Sequence, residues 1–143
     1  MKSLKQMLDE KKYKEIISIA PHRPVFDALV VLAEYKIGAL AVMQNDKLVG
    51  IFSERDYARS VVLQGRSSKA TAVAEVMTGN VICGKPNDLA DSAMRLMSEK
   101  RIRHLPVIDG ETLIGMLSMG DLVKEIIAEQ ERMIKLLENY IKG

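Results

Sequence analysis

The sequence predicts a mixed α/β (α+β) domain built from two copies of one strand–helix–strand–strand–helix unit. The first observation is a seven-residue stretch that occurs twice, as GIFSERD at 50–56 and GMLSMGD at 115–121, with glycine, serine and aspartate at the same internal positions. The second is the offset between the copies, 115 − 50 = 65, which pairs similar residues over about 45 positions without an insertion. Because there are only two copies, we predict a pseudo-twofold domain and not a solenoid.

Composition is that of an ordinary globular protein. The chain has 143 residues, of which 48% are hydrophobic, and nine methionines compensate for few aromatic residues. A formal net charge of +2, without a long basic run, argues against nucleic acid as a partner. The single cysteine, Cys83, excludes an intramolecular disulfide and fits a reducing compartment. No stretch approaches the roughly 20 apolar residues that span a membrane, and residues 1–15 lack the apolar core of a signal peptide. We therefore expect a cytoplasmic protein without a membrane partner.

The first copy begins with a strand and a helix, preceded by a short amphipathic helix at 3–12 for which Ser3 is a natural N-cap. The apolar run 16–19 predicts the strand. The segment 24–35 predicts the following helix, because Pro24 suits a first helical turn. Its apolar residues at helical spacing are Phe26, Leu29, Val30 and Ala33.

A hairpin and a second helix complete the first copy. Strands at 39–43 and 48–52 flank the turn residues 44–47, and Ser53 begins a helix at about 54–64. The polar stretch that follows, with a short helix around 72–77, connects the two copies.

The second copy repeats this order, with a strand at 81–83, a helix at 89–100, a hairpin of 105–108 with 112–117, and a final helix from Ser118 that reaches about residue 141. One side of that helix is apolar, through Leu122, Ile126, Met133, Leu137 and Tyr140. It requires either the N-terminal helix of its own chain or a second chain as a partner.

These elements divide the chain into five segments. We expect an N-terminal helical extension, a first repeat, a linker, a second repeat and a C-terminal helical extension, at 1–15, 16–66, 67–80, 81–130 and 131–143.

The order of elements and the motif Gly-x-x-Ser-x-x-Asp after each hairpin resemble a tandem pair of CBS domains, also called a Bateman module. The segments 103–107 (RHLPV), 37–40 (IGAL) and 77–78 (MT) are also typical of that family. The resemblance covers about residues 14–130. It implies two α/β halves whose sheets pack around a pseudo-twofold axis with the helices outside, and two clefts between the repeats. It further implies a stand-alone prokaryotic sensor, assembled as a homodimer.

The resemblance also implies a ligand, an adenosine-containing nucleotide such as AMP, ADP, ATP, NAD(H) or S-adenosylmethionine, and no catalytic cofactor. In the family the motif aspartate holds the ribose hydroxyls and the motif serine faces the phosphate, which places those roles on Asp56, Asp121, Ser53 and Ser118. The residues Arg103 and His104, before the second hairpin, are then phosphate candidates, as is Arg55 inside the first motif. Candidates to line the remainder of the sites are Ile16, Ile37, Gly38, Val81, Ile82 and Pro106.

Each of these residues also has a structural interpretation. A serine with an acidic residue three positions later is close to a capping box, so both motifs could do no more than begin a helix. The helix N-terminus could equally receive a phosphate, and the carboxylate could accept from two vicinal hydroxyls. The aliphatic residues could simply fill the core, Arg103 could be a solvated charge, and His104 could be structural.

The charges differ between the copies, so we expect two inequivalent sites that are both competent. The second copy has Arg101, Arg103 and His104 before its hairpin, whereas the first has Glu54 and Arg55 inside its motif. No catalytic arrangement, metal-ligand spacing or phosphate-binding fingerprint is present, so we do not expect an enzyme or a metal site. The alternative function is a protein-interaction and dimerisation module whose nucleotide sites are vestigial and whose unknown protein effector contacts the long final helix.

Overall fold

A computed structural model describes residues 1–11 and 15–143. The elements in chain order are α1 (Leu4–Asp9), β1 (Ser18–Ile19), α2 (Val25–Tyr35), β2 (Ala39–Gln44), β3 (Lys47–Ser53), α3 (Glu54–Tyr57, continued by a π-helical turn at Ala58–Val62), α4 (Val73–Val76), α5 (Ala90–Lys100), β4 (His104–Asp109), β5 (Thr112–Ser118) and α6 (Met119–Lys142). The order strand–helix–strand–strand–helix is therefore confirmed for the first copy, and mixed α+β content for the whole.

The chain forms two compact units. The first-repeat unit consists of residues 15–82 with 110–113, and the second-repeat unit consists of residues 1–11, 83–109 and 114–143. The N-terminal helix α1 thus folds with the second copy, although the first copy follows it in the sequence.

The first-repeat unit contains a three-stranded sheet in the order β1–β2–β3. Strand β1 pairs parallel with β2, while β2 and β3 form the predicted antiparallel hairpin, with Leu40 opposite Phe52. The hairpin turn places Asn45 and Asp46 at φ 52° and 62°. Asn and Asp tolerate this left-handed conformation, which suits the twist of a tight hairpin.

The core of this unit lies where α2 packs against the sheet. Val25, Ala28 and Leu32 of α2 are buried, together with sheet and helix residues Leu40, Val42, Phe52, Val61, Val73 and Val76. Two of the apolar residues noted for their helical spacing, Phe26 and Val30, do not lie on the buried face, since they are 41% and 48% exposed. Almost every position of α2 is apolar, so periodicity could not choose a face. Backbone hydrogen bonds from Val25 N to Thr71 O (2.8 Å) and Phe26 N to Ser68 O (2.9 Å) fix the start of the helix instead.

The second-repeat unit contains β4 and residues 114–118 of β5, packed with α1, α5 and α6. Its buried residues are Leu4, Met7, Ala90, Ala93, Met97, Leu105, Val107, Leu117 and Leu122. The predicted strand at 81–83 is wrong, because the structure has only an isolated parallel bridge between Gly84 and Val107.

The physical reason for the missing strand is Pro106. In the first copy Ala41 N donates to Ile17 O at 3.3 Å, which ties β1 to β2. The corresponding donor in the second copy, 41 + 65 = 106, is a proline and has no N–H. One bond of the parallel ladder is therefore lost.

The final helix α6 is 24 residues long, about 36 Å at 1.5 Å per residue. Leu122 and Glu125 near its start are buried, and Lys2 and Arg132 pair with Glu125 at 3.4 and 2.9 Å. Every residue from Gln130 onward is exposed in this chain. The N-terminal helix therefore accounts for the beginning of α6 only.

Candidate functional site

The two repeated motifs form matching helix starts. Ser53 caps α3, accepting from Asp56 N at 3.2 Å, while Asp56 Oδ2 accepts from Ser53 N at 2.9 Å and from Ser53 Oγ at 3.0 Å. Ser118 caps α6 in the same way, with Asp121 N to Ser118 Oγ at 3.1 Å and Ser118 N to Asp121 Oδ2 at 2.8 Å. Both serine–aspartate pairs are therefore true capping boxes, as the structural interpretation predicted.

The capping fixes each carboxylate in the first turn of a helix and leaves part of it available. The bonds to serine use Oδ2 in both motifs. A carboxylate can accept about four hydrogen bonds, so the capping role and a ligand role are compatible. The helix start also supplies partial positive charge, which suits an anionic group nearby.

The segments before the hairpins meet the motifs through their main chain. Glu54 N donates to Gly38 O at 3.0 Å, and Met119 N donates to Arg103 O at 2.8 Å. Gly38 and Arg103 are related by the repeat offset, 38 + 65 = 103. The structure thus brings Gly38 together with Ser53 and Asp56, and Arg103 together with Ser118 and Asp121, within their own units.

In the first-repeat unit, the segment after α4 covers the motif strand. Thr78 exchanges two backbone hydrogen bonds with Ile51, at 3.0 and 2.9 Å, and Thr78 Oγ1 donates to Asp56 Oδ1 at 3.3 Å. A Cβ added to Gly50 would lie 2.5 Å from Met77 Sδ and 3.0 Å from Thr78 O. A side chain at position 50 would therefore displace the Met77 side chain and crowd the main chain at Thr78, so glycine suits the close approach of this segment.

In the second-repeat unit, the N-terminal segment takes the same place but with a different side chain. Lys11 Nζ donates to Met116 O at 3.1 Å and to Asp121 Oδ2 at 3.2 Å. A Cβ on Gly115 would lie 2.6 Å from Leu8 Cδ2. One ammonium group thus contacts both the strand carbonyl and the motif carboxylate. In the first copy Thr78 makes the equivalent contacts, through its backbone N–H to Ile51 O and through its hydroxyl to Asp56.

Electrostatics at Asp121 reflect this contact. Burial alone would raise the pKa of Asp121, but the Ser118 N–H and the charge and hydrogen bond of Lys11 together hold that pKa below its usual value. The carboxylate is therefore ionised at neutral pH. Its side chain is 31% exposed, so solvent and solutes still reach it.

The correspondence between α1 and α4 shows a repeat that sequence reasoning missed. Three backbone hydrogen bonds tie the α4 segment to the start of α2, and three equivalent bonds tie the α1 segment to the start of α5. In the first-repeat unit they are Val25 N to Thr71 O, Val73 N to Arg23 O and Ala74 N to Pro21 O; in the second-repeat unit they are Ala90 N to Lys2 O, Leu4 N to Asp88 O and Lys5 N to Pro86 O. Between the two sets, the α2 and α5 residues differ by the repeat offset of 65, whereas the α4 and α1 residues differ by 71 − 2 = 69.

The signal for this longer repeat was present in the sequence. Both segments have apolar residues at the same spacing, Leu4-x-x-Met7-Leu8 and Val73-x-x-Val76-Met77. Both also have a long polar side chain that caps the helix, since Ser3 N donates to Gln6 Oε1 at 2.8 Å and Ala72 N to Glu75 Oε2 at 2.7 Å. A search at the single offset of 65 could not find it, and so Lys11 and Thr78 were overlooked as neighbours of the motifs.

The remaining candidate residues have varied surroundings. Ile37 packs against the core of its unit, and Pro106 is buried with its carbonyl accepting from Gly84 N at 2.8 Å. Ile16 is 38% exposed, and Val81, Ile82 and His104 are half-buried. Within residues 1–11 and 15–143, the side chains of Arg55 and Arg103 take no part in the motif networks, by which we mean the hydrogen bonds and ion pairs of the two serine–aspartate pairs and their neighbours Thr78 and Lys11.

Other chemistry has little support in the part of the chain that the structure describes. No group of three or more His, Cys, Asp or Glu side chains there could hold a metal ion. Burial raises the pKa of the Cys83 thiol, which disfavours the reactive thiolate. Of the helices described, none combines the length and apolar character needed to cross a membrane.

Comparison with known proteins identifies relatives of the whole fold. The CBS domain family matches residues 12–63 and 73–128. A CBS domain-containing protein, CBSX3, mitochondrial, from Arabidopsis thaliana is 40% identical over 124 residues, covering 83% of this chain and 60% of the relative, so this chain spans less than two thirds of that protein's length. The CBS domain-containing protein YhcV from Bacillus subtilis (strain 168) is 32% identical over 108 residues, 76% of each chain.

Solved structures agree with the family. A protein with CBS domains from Burkholderia ambifaria MC40-6 superposes with a TM-score of 0.86 at 49% identity, covering 90% of this chain and 96% of that one. A CBS domain pair in complex with 5-methylthioadenosine and S-adenosyl-L-methionine shares the fold, with a TM-score of 0.79 at 24% identity over 90% of this chain and 98% of that one. The family match over both repeats, the identity to stand-alone relatives and the shared fold lead to one conclusion. The chain belongs to the CBS domain family and contains a tandem pair of CBS domains, which is a regulatory module.

Proposed function

We propose that the protein is a sensor that binds adenosine-containing nucleotides, with Asp56 and Asp121 each accepting hydrogen bonds from a ribose. The observation that supports this most directly is the repeated capping box. Each aspartate is oriented by its serine through Oδ2, in the first turn of a helix, while the carboxylate retains acceptor capacity. Vicinal hydroxyls on such a carboxylate follow the same logic as the acidic residue of dinucleotide-binding folds.

The flanking candidates supply the other chemical needs of such a ligand. Arg103 and Arg55 have side chains outside the motif networks, and a guanidinium fork suits a phosphate. Ser53, Ser118 and His104 offer polar groups beside the same helix starts. Half-buried or exposed aliphatic residues offer apolar surface for an adenine, at Ile16, Ile37, Val81 and Ile82 with the backbone of Gly38 and Pro106.

The two motifs differ in what a ligand must meet. Asp56 has a neutral neighbour, Thr78 Oγ1 at 3.3 Å, whereas Asp121 has the charged Lys11 Nζ at 3.2 Å. A ribose hydroxyl at Asp121 must share or displace the lysine, while the same ammonium group attracts a phosphate. We therefore propose two inequivalent sites, and a ligand that prefers one arrangement of the protein shifts its population toward that arrangement.

The proposal extends to the setting of the protein. It places the sensor in the cytoplasm as a homodimer that signals to an unknown protein effector, without catalysis, a catalytic cofactor, nucleic acid or membrane contact. In the solved CBS pair noted above, the same fold holds two adenosine-containing molecules, which supports this ligand class.

Titration calorimetry on protein stripped of ligand by denaturation and refolding tests the proposal. The panel is AMP, ADP, ATP, NAD, NADH and S-adenosylmethionine, with GMP and free adenine as controls that alter the base or remove the ribose. We expect saturable heat from at least one adenosine ligand and a much weaker response to both controls. A parallel melting experiment should show a rise in Tm, since a ligand at 100 times its Kd stabilises the folded state by about 2.7 kcal/mol. Absence of heat from every ligand, with folded protein, would favour the interaction module with vestigial sites.

A further inference from the structure

The outer face of α6 has a coiled-coil pattern. Six positions alternate at steps of four and three along the helix, namely Val123, Ile127, Gln130, Ile134, Leu137 and Ile141. All six are exposed in this chain, and their exposed fractions rise from 38% at Val123 to 82% at Ile141. Steps of four and three are the a and d positions of a heptad, which form one continuous stripe.

The opposite side of the helix is already occupied. Leu122 and Glu125 are buried, and Arg132 bridges Glu125 and Glu129 at 2.9 and 2.6 Å. In the heptad register, Glu125 and Arg132 are f positions, which point away from the a and d stripe. The charged network therefore faces the protein's own unit, and the apolar stripe faces away from it.

The identity of the residues indicates what covers the stripe. The a positions are Ile127, Ile134 and Ile141, and the d positions are Val123, Gln130 and Leu137. Isoleucine at a with leucine at d favours a two-stranded, parallel coiled coil, and all three a positions and Leu137 match that preference, so a second copy of the same helix fits the stripe.

Gln130 favours the parallel arrangement. In a parallel pair the two Gln130 side chains meet at one d layer, where each amide can donate to and accept from the other. In an antiparallel pair, Gln130 would face Ile134 and leave a buried amide without a partner. A single polar layer of this kind also sets the register.

We propose that residues 123–141 of two copies form a parallel coiled coil, about 28 Å long at 1.5 Å per residue, that fixes the dimer. The coil is just under three heptads long and would be marginal for free helices. In the proposed homodimer the two helices are tethered to associated domains, which gives them a high effective concentration and favours their pairing. This inference deepens the homodimer part of the proposed function, and it needs no nucleotide.

Site-specific cross-linking tests the seam directly. Under mild oxidation, Gln130→Cys should form a covalent dimer of 2 × 15.9 = 31.8 kDa on a non-reducing gel, because d positions face each other. Asn139→Cys, at an outer f position, should not. Wild type carries Cys83 alone and measures any link through that residue. Equal cross-linking of both variants, or none at Gln130→Cys, would overturn the proposal.

A charge placed in the seam gives a second test. Sedimentation equilibrium should show that Ile134→Asp raises the dimer Kd at least tenfold, while Leu136→Asp leaves it within twofold. The control is matched, since Ile134 and Leu136 are 54% and 63% exposed and differ in the face they occupy. If Leu136→Asp weakens the dimer as much, the adjacent stripe through Met133 and Tyr140 is the interface instead. If both variants match wild type, α6 does not hold the dimer. Because cross-linking and sedimentation are done without nucleotide, their failure leaves the ligand-binding proposal untouched.

Discussion

Replacing Leu4 by alanine should destabilise the second-repeat unit by about 3–4 kcal/mol. Leu4 is fully buried although it is only the fourth residue of the sequence. Leu→Ala substitutions in cores cost about 2–5 kcal/mol, and more where the surroundings cannot collapse into the cavity. Gly84 offers no side chain to move into the space, since a Cβ there would lie 2.6 Å from Leu4 Cδ1. The cost should therefore fall in the middle of the range or above it.

Urea unfolding monitored by far-UV circular dichroism measures this cost. With an m-value of about 2 kcal/mol/M, a loss of 3–4 kcal/mol lowers the midpoint of the affected transition by about 1.5–2 M. Leu63→Ala is the control, because Leu63 is 76% exposed and its truncation should change stability by less than about 0.5 kcal/mol.

The corresponding change in the first-repeat unit is Val73→Ala, which should cost at least the transfer energy of two carbons, about 1.6 kcal/mol. Val73 is also fully buried and stands at the start of the equivalent helix. If Leu4→Ala costs less than about 1 kcal/mol while Val73→Ala has its full effect, then α1 is an accessory segment and its equivalence with α4 is wrong.

Three further predictions concern the motifs. Gly50→Ala should destabilise the protein by about 1–3 kcal/mol in the same urea assay, because its Cβ would lie 3.0 Å from the main-chain oxygen of Thr78 and 2.5 Å from Met77 Sδ, whereas Gly79→Ala, with open space around it, should not. The pKa of Asp121 is depressed in the folded state, so the ionised carboxylate contributes to stability above about pH 4, and this contribution is lost as the pH falls. The Tm difference between wild type and Asp121→Asn should therefore shrink between pH 7 and pH 3. A constant difference would contradict the contact between the ionised Asp121 and Lys11. Lys11→Met should tighten the binding of an uncharged adenosine analogue at the second motif by about 1.5- to 5-fold, because the ligand no longer has to break the ion pair between Lys11 and Asp121, which is worth about 0.2–1 kcal/mol. Weaker binding in calorimetry would show that Lys11 holds the ligand instead.

Much of the fold was predictable because the sequence contains two copies of the same strand and helix pattern. The hairpins and both motif helices followed from alternation, turn residues and caps, and the two serine–aspartate pairs adopt equivalent geometry. The absence of the strand that we expected at 81–83 could not be read from the apolar residues of that segment. What prevents the strand is the missing N–H of Pro106 on the neighbouring strand. The inner face of α2 was ambiguous for a similar reason, since only contacts with a distant segment choose between two apolar stripes.

The neighbours of the motifs were less accessible to sequence reasoning than the motifs themselves. Thr78 and Lys11 reach the two aspartates from segments whose spacing departs from the repeat offset, so symmetry did not reveal them. The difference between them is also a difference in kind, one neutral hydroxyl against one ammonium. The surroundings of the two aspartates therefore differ in a way that the charges before the hairpins did not reveal.

The central claim is that Asp56 and Asp121 each hold one adenosine ligand. The most direct measurement is calorimetric titration of the tightest ligand from the panel into wild type, Asp56→Ala, Asp121→Ala and the control Asp109→Ala, which removes an exposed carboxylate at the end of β4. With folding of each variant confirmed by circular dichroism, we predict that each motif variant loses one binding event and that the control retains both. Wild-type stoichiometry and affinity in both motif variants would contradict the account.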